Sequence, residues 1–509
     1  MEKENTLKKK SGVHHFTEIT VGFCLIVLWL IFDRAIPVFR FVAPTGADPG
    51  NWLSFAWEFG GEKIRMASGS YPPMVPLFLR ALLYFLEPLL AVRIVGLTAY
   101  LLTAFAFFMM VRIFTKLPWL IQVSFGLLFA GVRSLGETYS FGGYPEILGF
   151  AFLIVSLFCS EMWLREGGRR WAFLSALFSA ALVASHYLMA TVYVFMMMVM
   201  IVFLIFLEMN QWRIFFKRAF QLCLGTSVLS FFSSSSLLHY LGQVQGKPTN
   251  PHGYVRTLHS MINAFNWMFG HSSRLLWGSM LLFSVILPFF VFRRRGIASL
   301  VALTWGSLIF FWGTLEIRSL HVLPLGIILS LALALSEIWQ RKSFIVQKVV
   351  GVFSFFVIFL KVLTDSSAQF PQDLKWYEII TPPVLESLIW LKESTPQKSF
   401  IATTTIGIHN HPLGWWIEGF TKRPTLYQAP HGYLSFKEEQ HLAAIAEQLF
   451  SEDVSEKIMT GILEDQKIDY LFIPRTHFKK NMEKLIKVKK ITLVFQNSDV
   501  LIFQVHRRA

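Results

Sequence analysis

Hydrophobic positions along this 509-residue chain come in long blocks divided by short polar punctuations. Runs suited to a bilayer-spanning helix of about 20 residues occupy roughly 19–40, 90–111, 118–134, 145–162, 171–187, 191–208, 219–238, 276–292, 297–313, 320–338 and 344–363. One further run, Met74 to Leu86, is short for a crossing. Beyond residue 364 the apolar positions disperse and charges return. There Pro382–Glu393 and Leu434–Phe450 follow a helical period. Ser399–Thr404, Tyr470–Pro474 and Ile491–Val505 read as strands, the last a hairpin turning at Asn497-Ser498-Asp499. The pattern predicts an α-helical polytopic membrane protein over residues 1–363, with about eleven transmembrane helices. A soluble α/β domain over residues 364–509 follows it.

Positive charge decides the sides. With the N-terminus cytoplasmic, alternate loops are Arg112–Lys116, Arg165–Arg170, Arg213–Arg218, Arg293–Arg295 and Arg341–Lys348, each rich in Arg and Lys. The intervening loops carry few basic residues. If 74–86 also crossed, this bias would invert in every later loop. That run is therefore expected to lie on the outer surface as an interfacial or re-entrant helix, with the C-terminal domain facing outward at the plasma membrane. Lys8, Lys9 and Lys10 precede the first apolar run, which reads as an uncleaved helix extending toward Phe41 rather than a signal peptide. Asp33 and Arg34 fall near its outer end, as a pair or facing a cavity.

Composition agrees and narrows the function classes. Hydrophobic residues make up 54% of the chain and charged residues 16%, too little polar surface for a soluble protein of this length. The net charge of +15 lies mostly in the short loops that orient helices, which argues against nucleic-acid binding. Cys24, Cys159 and Cys223 lie far apart inside apolar blocks and form no metal motif or disulfide framework.

Four segments should converge at the outer surface. They are Asp48-Pro49-Gly50-Asn51-Trp52-Leu53, Tyr71-Pro72-Pro73, the loop from Glu137 through Gly142-Gly143-Tyr144-Pro145 to Glu146, and Glu316-Ile317-Arg318-Ser319-Leu320-His321. His186, at the outer end of the fifth expected span, belongs nearby. Together with the soluble tail and its Gly414-Trp415-Trp416-Ile417-Glu418-Gly419, these segments resemble the GT-C superfamily. Its members are membrane glycosyltransferases that use lipid-phosphate-linked sugars at the outer face, and the likeness is to the dolichyl-phosphate-mannose-dependent type. The most specific combination is Asp-Pro-Gly-Asn-Trp-Leu with Tyr-Pro-Pro. Two departures stand out. Many members pair the first-loop acid with a second, whereas Asp48 has no acidic neighbour until Glu58. The tail also lacks the Trp-Trp-Asp of oligosaccharyltransferases, which argues against en bloc transfer to asparagine.

The resemblance implies a polyprenyl-phosphate-linked sugar as donor and a glycan, lipid or protein as acceptor. Such chemistry needs a base for the acceptor hydroxyl, and Asp48 fits that role, with Glu137 as a second acid or an acceptor contact. It also needs cations for the departing phosphate. Arg318 is the first choice, because an Arg beside a span is costly without an anionic partner. Lys63, Arg65 and His321 are alternatives, and Tyr144 and His186 complete the substrate-binding set. No cofactor is predicted, and a divalent ion, which usually needs clustered carboxylates, is left open.

Each residue has a structural reading as well. Asp48-Pro49-Gly50 makes a competent turn, Glu137 suits a solvated loop, Arg318 suits a snorkelling or Glu316-paired side chain, and His409 and His411 suit a loop. Trp52, Trp57, Trp267 and Trp277 read as interface anchors or sugar-stacking rings. Two other functions compete: a transporter or flippase of a lipid-linked substrate, and an inactive scaffold of the same fold. The chain shows neither the paired repeats nor the mid-span acids usual in carriers.

Overall fold

A computed structural model describes residues 2–62, 64, 71–231, 274–290, 295–314, 317–340, 345–404, 411–426, 429, 434, 437–451, 454–477 and 491–506. Among them six helices are long and apolar enough to cross a bilayer: Phe16–Val38, Pro88–Phe114, Tyr144–Glu166, Tyr187–Leu207, Leu320–Gln340 and Ile345–Trp376. Trp119–Ala130 and Arg133–Phe141 pass together as a seventh, bent by 49°. The other expected crossings coincide with shorter or more polar helices, Arg169–Ser185, Trp212–Leu229, Gly278–Phe289 and Ile297–Phe311. Met74–Leu82 is a nine-residue helix. At 1.5 Å per residue that is about 14 Å, less than half the hydrocarbon thickness.

The bent span differs from the expected loop at 133–144. The chain stays helical to Phe141 because its first left-handed residue is Gly142, at φ 94°. Residues Ser134 to Ser140 are buried, and Ser140 Oγ donates to the Gly136 carbonyl within the same helix. Backbone buried in this way has to satisfy itself internally.

The break at Gly131 exposes a carbonyl, and Arg34 helps to satisfy it. Arg34 sits in the π-helical turn Ile31–Ala35 and is wholly buried. Ala130 O accepts from Tyr100 Oη at 2.6 Å and from Arg34 Nη2 at 3.3 Å. The guanidinium also donates to Tyr100 Oη at 3.1 Å and Ser366 Oγ at 2.6 Å, and pairs with Asp33 at 2.7 Å. The rings of Trp29, Tyr100 and Phe370 surround it at 5.0, 5.2 and 4.3 Å. Burial of this cation is tolerated because anion, carbonyl and π-faces replace its water.

At the opposite end of Tyr144–Glu166, the buried Glu161 carboxylate accepts from Gly296 N (2.8 Å), Ser299 N (2.9 Å) and Ser299 Oγ (2.7 Å). It thereby occupies the donors that open the helix at Ile297.

The last long helix, Ile345–Trp376, runs without a break past residue 363, so the tail domain is carried on a stalk that ends at Trp376. The tail forms a four-stranded sheet in the order β1-β2-β4-β3, with β1 Ile401–Thr403, β2 Tyr470–Pro474, β3 Ile491–Gln496 and β4 Val500–Val505. β1 and β2 are parallel, and the other pairs are antiparallel. The β3–β4 hairpin turns where the sequence predicts it. Asn497 Oδ1 accepts from Asp499 N and Val500 N, the local bonding that suits Asn to a turn. Helices Pro382–Ser394, Gly414–Thr421, Lys437–Leu449 and Glu456–Asp465 accompany the sheet. Arg423 closes the end of the first of these by donating to the Lys392 and Thr395 carbonyls at 2.7 and 2.6 Å, and its burial lowers the guanidinium pKa.

Candidate active site

Asp48 opens the helix Asp48–Phe59, with Pro49 in its first turn. The motif read as a possible turn is therefore a helix start, where the pre-set φ of Pro is favourable and a carboxylate meets the positive end of the helix dipole. Asp48 is half-buried, whereas Pro49 through Trp57 are buried behind it.

Three contacts hold this helix start. On one side lies the end of the bent span. Thr45 Oγ1 donates to Ser140 O at 2.8 Å, and Trp52 Nε1 donates to Gly142 O at 2.7 Å. A β-carbon on Gly142 would stand 2.2 Å from Pro49 Cδ, so this fit needs glycine. Next to it lies the residue that follows the stalk, Tyr377, whose carbonyl accepts from Gly46 N at 2.8 Å. On the third side lies the tail-domain helix Gly414–Thr421. Trp416 Nε1 donates to Gly46 O and Trp57 Nε1 donates to Gly419 O, both at 2.8 Å. The two helices touch backbone to backbone: a β-carbon on Gly419 would lie 2.1 Å from Gly50 O. Trp52 and Trp57 are thus buried struts rather than interface anchors. Trp267 and the side chain of Trp277 lie outside the described residues. Tyr71 packs its ring on Trp52 at 4.7 Å and Phe55 at 5.8 Å, extending an aromatic wall along the Asp48 helix.

Tyr144 begins the span Tyr144–Glu166 and lies close enough to Asp48 and Arg93 to interact with both charges. Its ring is 5.3 Å from that of Tyr139. Arg93, one turn inside Pro88–Phe114, interacts with Tyr139, Tyr144 and Glu87, donates to the Phe41 carbonyl and lies 5.2 Å from the Phe39 ring. The site therefore holds a carboxylate, a guanidinium and buried phenols close enough to interact.

Glu137 is buried on the bent span, not solvated on a loop, because residues 133–141 are helical. Its Oε1 accepts from Tyr377 Oη at 3.3 Å, and the Tyr377 ring is 5.4 Å from His411. His321 is buried with Nδ1 2.7 Å from Glu146 Oε1. His186 caps the next span, its Nδ1 accepting from Met189 N at 3.2 Å, and its Cβ backs onto Gly149. Arg318 lies in the 3-10 turn Ile317–Val322, described for its backbone alone. Lys63, Arg65 and His409 lie outside the described residues. Among the described residues no group of three or more His, Cys, Asp or Glu is placed to hold a metal ion.

Asp48, Tyr144 and Glu137 are thus brought onto one framework, while His186 serves a helix end. Sequence reasoning missed Arg93, Tyr377 and the partnership of Glu146 with His321. The signal for Arg93 was present, as a lone cation inside an apolar block. Tyr377 lies in a mixed segment with no periodic or motif signal.

No protein-family model matches the chain, and no curated protein is similar to it in sequence. Solved structures are similar in fold. An arabinofuranosyltransferase AftD from Mycobacteria matches with TM-score 0.63 at 18% identity, over 96% of this chain and 40% of that one. The chain thus spans well under half of AftD. ArnT from Cupriavidus metallidurans, bound to undecaprenyl phosphate, matches with TM-score 0.60 at 10% identity, over 94% of this chain and 97% of that one. Its apo state matches with TM-score 0.56. The chain shares the fold of both structures.

Proposed function

We propose that this protein transfers a sugar from a polyprenyl-phosphate donor to an acceptor hydroxyl at the extracytoplasmic face, with Asp48 as base. The observation that carries the reading is the position of Asp48. It is a half-buried carboxylate at a helix start whose backbone is gripped by the bent span, the residue that follows the stalk and the tail domain. A base has to be held within hydrogen-bond reach of the hydroxyl it serves, and rigid support from three elements suits that need. The similarity to ArnT, whose structure holds undecaprenyl phosphate, supports the donor class.

In the reaction, Asp48 takes the proton as the acceptor oxygen attacks the anomeric carbon. The bond from that carbon to the phosphate oxygen breaks, and its electron pair leaves on the polyprenyl phosphate. Arg318 is assigned to the phosphate. Arg93, which interacts with both Tyr139 and Tyr144, is a second cation for it. Lys63 and Arg65 remain proposed donor contacts. Glu137, bonded to Tyr377 beside the tail domain, is assigned to the acceptor side. The charge-derived topology puts the tail domain outside.

Purified protein incubated with polyprenyl-phosphate sugars should release or transfer sugar. Asp48→Asn, expressed and folded as wild type, should lose about 10²-fold or more, the usual weight of a general base. Transfer at the wild-type rate would refute the base assignment. Substrate movement across liposomes without bond cleavage would instead favour a carrier.

A further inference from the structure

Glu146 and His321 form a buried acid–imidazole pair that the proposed reaction does not use as a pair. They are 175 positions apart, and their Oε1 and Nδ1 are 2.7 Å apart with side chains only 5% and 6% exposed. Each belongs to an element that carries a site residue. Glu146 stands in the first turn of Tyr144–Glu166, two residues after Tyr144. His321 stands in the six-residue 3-10 turn Ile317–Val322, three residues after Arg318.

Short 3-10 segments have poor hydrogen-bond geometry, and this one packs chiefly on Ser307–Thr314 and Leu323–Gln340, the helices it joins. The Glu146 bond ties it across to the start of the Tyr144 span. A buried hydrogen bond to a charged group is among the stronger ties available in a fold. The carboxylate is also favoured there by the N-terminal end of its helix.

We propose that Glu146 is a positioning residue for donor binding: through His321 it holds the Arg318-bearing turn against the outer end of the Tyr144 span. The inference rests on the reading of Arg318 as a donor-phosphate contact. It assigns His321 to alignment of the turn through Nδ1.

The test uses the full-length protein in nanodiscs, with undecaprenyl phosphate as probe and a melting curve for every variant. E146A removes the acceptor atom, and E146D keeps the charge but withdraws it by one methylene. E146Q keeps the reach without the charge. E146A and E146D should each weaken probe binding about tenfold, as expected when an ångström-scale misplacement separates a contact from its ligand. E146Q should bind within about threefold of wild type, because its amide oxygen still accepts from Nδ1. H321A should match E146A, and the double variant should be no worse than either single one. In turnover donor KM should rise and kcat should fall with it, because the displaced Arg318 also serves the departing phosphate; E146Q should restore both. If E146A does not fold, E146D and E146Q decide. Weak binding by R318Q alongside wild-type binding by E146A, or by E146D where E146A does not fold, would overturn the positioning role and keep the Arg318 reading. Wild-type binding by R318Q would remove the Arg318 reading, and the inference with it. No binding by the wild type would overturn both.

Discussion

Substitution of Gly419 by alanine tests whether the tail domain shapes the Asp48 site. The helices Asp48–Phe59 and Gly414–Thr421 cross at two glycines, with Gly50 lying against the backbone of Trp415 and Trp416. A β-carbon on Gly419 would stand 2.1 Å from Gly50 O and 2.8 Å from Leu53 Cβ. Ordinary contact begins at 3.4 Å, so the backbones must separate by about 1.3 Å. Both obstacles belong to a buried helix, so no flexible side chain can yield. The separation also pulls on the Trp57–Gly419 and Trp416–Gly46 hydrogen bonds, each 2.8 Å long. Overpacking of this kind costs about 1–3 kcal/mol, and each lost bond adds about 1 kcal/mol. A misplacement near 1 Å at a reacting group costs about 10²-fold in rate. Gly419→Ala should therefore melt several degrees lower and transfer sugar about 10²-fold more slowly. Gly461 provides the control: it lies inside Glu456–Asp465, and a β-carbon there meets nothing within 4 Å. Gly461→Ala should hold or gain up to about 1 kcal/mol. A Gly419→Ala protein with wild-type melting and wild-type transfer would refute the coupling of the tail helix to the site.

Two further outcomes follow from cations within the long helices. Arg34→Met should destabilise the protein by about 3–5 kcal/mol, because it leaves Asp33 without its counter-ion and removes one donor from Ala130 O; an unchanged melting curve in detergent or nanodiscs would refute its role at the helix break. Arg93→Gln should cost about 1 kcal/mol of stability through the lost bond to the Phe41 carbonyl and weaken undecaprenyl phosphate binding about tenfold or more, the usual weight of a charge-assisted hydrogen bond; unchanged binding would remove Arg93 from the donor site.

The elements that depend on local pattern were legible in the chain. Apolar length marks the long helices at Pro88–Phe114 and Tyr187–Leu207, since bilayer thickness imposes a minimum run. Alternation and an Asn-Ser-Asp turn mark the β3–β4 hairpin, and the charge bias of the loops marks residues 74–86 as a segment that does not cross, in keeping with the nine-residue helix Met74–Leu82. Asp48 was legible too, as an acid in a Pro-Gly context just past the first apolar run. Other features depend on which distant atoms meet. Glu137 reads as a loop acid until the fold extends a helix to Gly142 and buries it beneath Tyr377. Glu146 and His321 look unrelated until two segments 175 residues apart are packed together. Gly50 and Gly419 are ordinary glycines until their helices cross in contact. Periodicity and span length are properties of consecutive residues, so sequence carries them. The meeting of a carbonyl, a carboxylate or a Cβ-free position with a partner hundreds of residues away is set by packing, and only the tertiary structure decides it.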